Sequence, residues 1–136
     1  MDAIEARIKD SFAKQSLMKT LGAEVVSVAS GEVVLKSPIL PLALQHTGHG
    51  HAALSFALGD TAAGFSALTV MPEGVEVVTA EIKINLLAPA AGEYLIARGH
   101  VIKPGRRLVV VGATVTAFDG DGQRDVAVLQ GSMMAL

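Results

Sequence analysis

Ile4, Ile8 and Phe12 recur at every fourth position behind Asp2 and Glu5, whose three-residue spacing is that of a capping box. The pattern predicts an amphipathic helix running to about Lys19 and stopped by Gly22. Two short alternating runs follow, 24–28 and 32–36, and the Ala29-Ser30-Gly31 turn between them makes a hairpin. From 38 to 51 periodicity gives way to Pro, Leu, Gly and His, a loop in which Pro38 and Pro41 disfavour both helix and central strand. The stretch 52–70 is apolar on every side apart from Asp60 and a few hydroxyls, which predicts a helix buried all round. In the strand after Gly74, Val78, Ala80, Ile82, Ile84 and Leu86 are expected on the core side, with Val77, Thr79, Glu81, Lys83 and Asn85 opposite. Three more strands are predicted at 93–102, 107–118 and 125–134, separated by the turns 103–106 and 119–122.

Consecutive strands on short loops imply an antiparallel sheet, and one fully buried helix requires that sheet of about six strands to curl around it. The fold class is therefore α+β, with the first helix lying on the surface. A chain of 136 residues holds one such domain, residues 1–136. Its open edges leave backbone groups unpaired, so pairing with a second copy is expected.

Composition narrows the function. Eleven basic against thirteen acidic side chains, a net charge of −2, give no footprint for nucleic acid or anionic lipid. There is no cysteine to supply a nucleophile, a disulfide or a thiolate metal site. Acids near the N-terminus and the lack of an apolar run behind them read as a cytoplasmic protein. The 52–70 segment approaches the roughly 20 apolar residues of a membrane span, but Asp60 at its centre speaks for a buried helix instead.

The chemistry concentrates between Gln45 and Asp60. Amides in the first turn of a helix lack intrahelical partners and carry the positive end of the dipole, so the Ala52 N–H is a candidate to polarise a carbonyl or hold an oxyanion. Asp60, among Leu58, Gly59, Ala62 and Ala63, is poorly solvated, which raises its pKa and suits it to act as a base toward water. The structural alternative is an acid paired with a buried base or capping a subunit contact. His46, His49 and His51 are spaced closely enough to suggest a metal, but no neighbouring Cys or acid completes the set, and no metal or other cofactor is expected. Lys103, Arg106 and Arg107 gather three positive charges at one turn, suited to phosphate groups or simply to solvent.

The run Gln45-x-x-Gly48-x-x-His51-Ala52-Ala53, followed by Leu58-Gly59-Asp60, resembles the Asn/Gln-x-x-Gly-x-x-His-Gly-Gly motif and downstream Leu-Ala-Asp of hotdog-fold thioesterases of the phenylacetic-acid-degradation type. Residues 79–89 resemble that family's central strand, which ends in a proline. The resemblance implies hydrolysis of acyl- or aryl-coenzyme A thioesters. Asp60 would activate water or attack the thioester directly, and the Ala52 N–H would polarise the carbonyl. Gln45 would orient carbonyl or water in a site completed by another subunit's Asp60. It also implies a positioning role for His51 at the helix entrance, a water-holding role for Thr79, contacts from Lys103 and Arg106 to the coenzyme A phosphates, and a homodimer assembling into a homotetramer. Ala52-Ala53 in place of Gly-Gly and Gly59 before the acid depart from the motif. The added methyls leave a non-catalytic acyl-coenzyme A binder as the main rival. A hotdog hydratase or dehydratase is a weaker one, since no acid upstream of His51 pairs with it.

Overall fold

The computed structural model describes residues 2–136. Two helices, α1 (Ala3–Ala13) and α2 (Ser16–Leu21), precede the hairpin of β1 (Glu24–Ala29) and β2 (Glu32–Pro38). A 3-10 turn at Pro41–Ala43 leads into the long helix α3 (Ala52–Leu68). Four strands complete the chain: β3 (Val77–Leu86), β4 (Tyr94–Pro104), β5 (Val109–Asp119) and β6 (Gly122–Ala135). All pair antiparallel in one sheet of order β1-β2-β4-β5-β6-β3, which wraps α3 as the hydrophobic pattern requires. This is the hotdog architecture.

The expected first helix is two helices. Asp2 caps α1, its Oδ1 accepting from the Glu5 N–H at 2.7 Å. The helix ends at Ala13, and Gln15 is extended before α2 begins. A straight helix carrying Ile8 inward would turn Met18 and Leu21 away from the core; the break resets the phase, and all three are buried. Gly22, with φ of 73°, then closes α2 in the left-handed conformation. Arg7 fastens α1 to the far end of the molecule, donating to the carbonyls of Leu68, Met71, Pro72 and Val75 at 2.7–3.3 Å.

Helix α3 is not buried all round. Its C-terminal half is, from Ala62 through Leu68, but the first half leaves Ala52, Ala53 and Phe56 exposed and Ala57, Asp60 and Thr61 half-buried. The sheet of one copy is too narrow to enclose the whole helix. Gly59 is the point of closest approach on the enclosed side: a Cβ there would lie 2.6 Å from Leu129 Cδ1, which accounts for glycine before the acid.

Strand β3 also departs from the expected alternation. Val77 and Thr79 pair with Ala135 and Met133, but after a bulge at Ala80 the pairs become Ile82 with Gly131 and Ile84 with Leu129. Met133, Gly131 and Leu129 all face the interior, so the core side of β3 is Val77, Thr79, Ile82, Ile84 and Leu86. Val78 and Ala80, expected inside, are exposed. A bulge adds one residue to one strand and thereby reverses its parity. Gly131 makes room for it, because a Cβ at that position would collide with the Glu81 carbonyl oxygen and lie 2.7 Å from Ile82 Cα.

Candidate functional site

The loop before α3 is held at both ends. The Gly50 N–H donates to the Ala90 carbonyl and the His51 N–H to that of Ala43, each at 2.8 Å. Gln45 is set in a tight turn, its N–H bonded to the His49 carbonyl at 2.8 Å and its own carbonyl accepting from Gly48 at 3.0 Å. Gly48 takes φ of 91°, a conformation that favours glycine.

His51 is the N-cap of α3. Its Nδ1 accepts from the Ala53 N–H at 2.8 Å, and its carbonyl accepts from the Leu54 N–H. The neutral ring therefore carries its proton on Nε2. With Ala53 and Leu54 so occupied, the Ala52 N–H is a first-turn amide that donates to no acceptor among the described residues. Ala52 lines a cavity of about 310 Å³ whose other walls include Gln45, Ser55 and the segment from Leu86 to Ala90. Gln45 and Ala52 thus line one cavity.

Two turns farther along α3, Asp60 accepts a hydrogen bond from the Thr79 hydroxyl, 2.7 Å from Oγ1 to Oδ1. The β3 bulge is what makes this contact possible, since regular alternation would send Thr79 to the opposite face. Burial pushes the Asp60 carboxyl above its ordinary range, while the Thr79 hydroxyl partly offsets the rise. No base pairs with Asp60 among the described residues. Its second oxygen, Oδ2, accepts no hydrogen bond among the described residues. Asp60 and Thr79 border a small cavity of about 80 Å³ together with Gln15, which the break between α1 and α2 brings there. Gln15 had no signal in the sequence, because its place depends on a helix break that the periodicity does not show.

The site residues therefore form two groups. Gln45 and Ala52 gather at the C-terminal end of β3, Asp60 and Thr79 at its N-terminal end, while His51 lines a separate cavity beside α2. Ala52 and Asp60 are eight residues apart on α3, about 12 Å along its axis, too far for one carbonyl to touch both. Of the basic turn, Arg106 and Arg107 line a groove of about 290 Å³ with Val70, Met71 and Ala135. That groove lies at the Asp60 end of the sheet, because Val109 pairs with Met133 and Met133 with Thr79. Lys103, the penultimate residue of β4, lies beside this turn, exposed and outside the lining of the groove. Among the described residues no helix is long and apolar enough to cross a membrane.

Comparison with known proteins agrees with this architecture. The chain is similar to a thioesterase family protein from Silicibacter pomeroyi, 38% identical with a TM-score of 0.96 and 98% of each chain covered. The PaaI protein of the E. coli phenylacetic acid degradation operon shares the fold at 22% identity, with a TM-score of 0.87 over 98% of this chain and 93% of that one. A thioesterase from Haemophilus influenzae does so at 20% identity and a TM-score of 0.85, over 100% of this chain and 92% of that one. The family model described as the thioesterase superfamily matches residues 47–123, a span that takes in Ala52, Asp60, Thr79 and Arg106. The chain belongs to the thioesterase superfamily.

Proposed function

We propose that the protein hydrolyses acyl-coenzyme A thioesters at sites shared between two copies of the chain. The observation that carries this reading is Asp60: a half-buried carboxylate without a cationic partner, its pKa raised, held by Thr79 and open at Oδ2. A buried carboxylate of this kind costs stability and is found where its basicity is used.

Strand β3 stands at the sheet edge and pairs on one side only, with Leu86 and Leu87 each 56% exposed. Antiparallel pairing of two β3 strands about a two-fold axis continues the sheet and lays the Leu86 end of one copy beside the Val77 end of the other. Gln45 and the Ala52 N–H of one copy then face Asp60 and Thr79 of the second, which closes the 12 Å gap that a single chain leaves.

At such a site the Ala52 N–H and the helix dipole draw charge onto the thioester oxygen, with Gln45 orienting the carbonyl. Asp60 takes a proton from water as the water oxygen bonds to the carbonyl carbon. The tetrahedral intermediate collapses with cleavage of the carbon–sulfur bond, and the proton held by Asp60 passes to the departing thiolate. The products are the free acid and coenzyme A. Arg106 and Arg107, at the Asp60 end, suit the phosphates of the nucleotide tail.

Thiol release from a panel of acyl- and aryl-coenzyme A substrates tests the chemistry, and mixed oligomers test the shared site. Asp60→Asn and Gln45→Ala are each expected to be inactive or nearly so. Exchange of subunits between the two is expected to restore activity, because half of the sites in a mixed dimer hold neither substitution. Silence of the wild type across the panel would refute the hydrolase. Failure of mixed oligomers to recover, with subunit exchange demonstrated, would refute the shared site.

A further inference from the structure

An apolar cavity of about 360 Å³ opens between α2, the Pro41–Ala43 turn and the first half of α3. Its principal walls are Leu17, Leu21, Leu42, Leu44, Leu54 and Ala57. The polar groups that reach it are Thr20 and His51, and the His51 ring is already engaged with the Ala53 N–H. No charged side chain lines it. Leu17 and Leu42 are 54% and 62% exposed at its rim, large apolar side chains whose contact with water has no benefit to the fold.

The groove adjoins the reacting groups at both ends. His51 and Ala53, on its wall, flank the Ala52 amide; Ala57, also on its wall, lies three residues before Asp60 on the same stripe of α3. An acyl chain whose carbonyl carbon is held beside the Ala52 amide therefore has this groove as one of two apolar surfaces beside it, the other being the Leu86–Ala90 wall of the Ala52 cavity. We propose that the groove takes the acyl chain of the substrate and that it selects unbranched aliphatic chains of medium length over acetyl or aryl groups. The inference rests on the thioesterase reading above and adds the substrate class.

Size and lining both point to an alkyl chain. A cavity of roughly 150 Å³ lined by Leu, Ile and Phe suffices to hold benzene, so a single ring leaves much of this one empty. Leucines and alanines present no flat aromatic face to stack on a ring, and no charged group is at hand to receive a ring substituent. Specificity then depends on α2, whose place beside α3 is set by the break at Lys14 and Gln15.

The test is the chain-length dependence of kcat/KM over acetyl-, butyryl-, hexanoyl-, octanoyl- and decanoyl-coenzyme A, with phenylacetyl-coenzyme A as the aryl comparator. In the wild type kcat/KM is expected to rise roughly fourfold per added methylene until the groove is full, and to exceed the phenylacetyl value at the optimum. Ala57→Phe, which fills the groove, is expected to lower the octanoyl-to-acetyl ratio at least about tenfold. Leu42→Ser, at an exposed position that does not threaten folding, is expected to lower it in the same direction by less. A flat chain-length profile in an active wild type would overturn the inference and leave the hydrolase standing, as would a profile that neither variant alters. If those variants instead shift the sedimentation behaviour with the profile intact, the groove is a contact between copies and the inference falls. Absence of thiol release from every substrate in the wild type would refute the hydrolase itself.

Discussion

Substituting Gly131 by alanine tests the link between sheet packing and the candidate site. The glycine lies on β6 opposite Ile82, just past the bulge that turns Thr79 toward Asp60. An added Cβ would sit 2.7 Å from Ile82 Cα and 2.8 Å from Ile82 Cβ, and it would also meet the Glu81 carbonyl oxygen. Carbon atoms rest at about 3.5–4.0 Å, so the two strands must part by roughly 1 Å. These obstacles are mostly backbone and cannot rotate aside. Overpacking of this kind costs about 1–3 kcal/mol, which lowers the thermal midpoint by roughly 3–12 °C for a domain of this size. The larger effect is expected on turnover. A shift of about 1 Å in a positioned group costs on the order of 100-fold, and the displaced bulge carries Thr79 away from Asp60. Without that hydroxyl the carboxyl is pushed up further, so the acid limb of the rate profile moves to higher pH. The assays are thermal unfolding by circular dichroism and kcat/KM by thiol release across pH. A folded Gly131→Ala protein with lower stability but an unmoved acid limb would refute the reasoning and reduce Gly131 to a packing glycine.

Asp60→Asn keeps the shape of the side chain and its contact to Thr79, so turnover is expected to fall about 100-fold or more with the fold intact; unchanged thiol release would remove Asp60 from the mechanism. The folded pKa of Asp60 lies above the usual carboxylate value of 3.8, so between the two the folded state holds a proton that the unfolded state has lost, and stability falls as pH rises through that window. The same variant is therefore expected to melt above the wild type at pH 7, with the gap closing below that usual value; a lower midpoint at pH 7 would contradict the burial argument. Thr79→Val removes a hydrogen bond that favours the ionised base, so activity near pH 5 is expected to fall more than activity near pH 8, and a uniform loss would assign Thr79 another role. Arg106→Ala is expected to raise KM in a salt-sensitive way with little change in kcat, and a salt-independent loss of kcat would argue against a phosphate contact. Arg7→Met leaves four carbonyls, one at the end of α3 and three in the segment after it, without their donor and is expected to cost about 2 kcal/mol in denaturant unfolding; an unchanged midpoint would mean that solvent replaces the guanidinium.

Local pattern determined much of this protein. The caps, the glycine stops, the hairpins and the one apolar helix are written in adjacent residues, because each depends on hydrogen bonds and periodicities within a few positions. The same holds for the Ala52 amide and for the poor solvation of Asp60, since a helix start and an apolar helical neighbourhood are local properties. Tertiary structure decided what depends on distant residues. The break at Gln15 answers to where Met18 and Leu21 must go, and the exposed stripe on α3 to how far one sheet reaches. The parity of β3 turned on a bulge that only the glycine across the sheet, fifty-one positions after Ala80 in the chain, makes possible. Thr79 was named from a resemblance while the alternation placed it on the wrong face; packing between β3 and β6 put it against Asp60. A period of two cannot announce its own interruption, because the energy that sets the interruption belongs to contacts between strands and not to the strand itself.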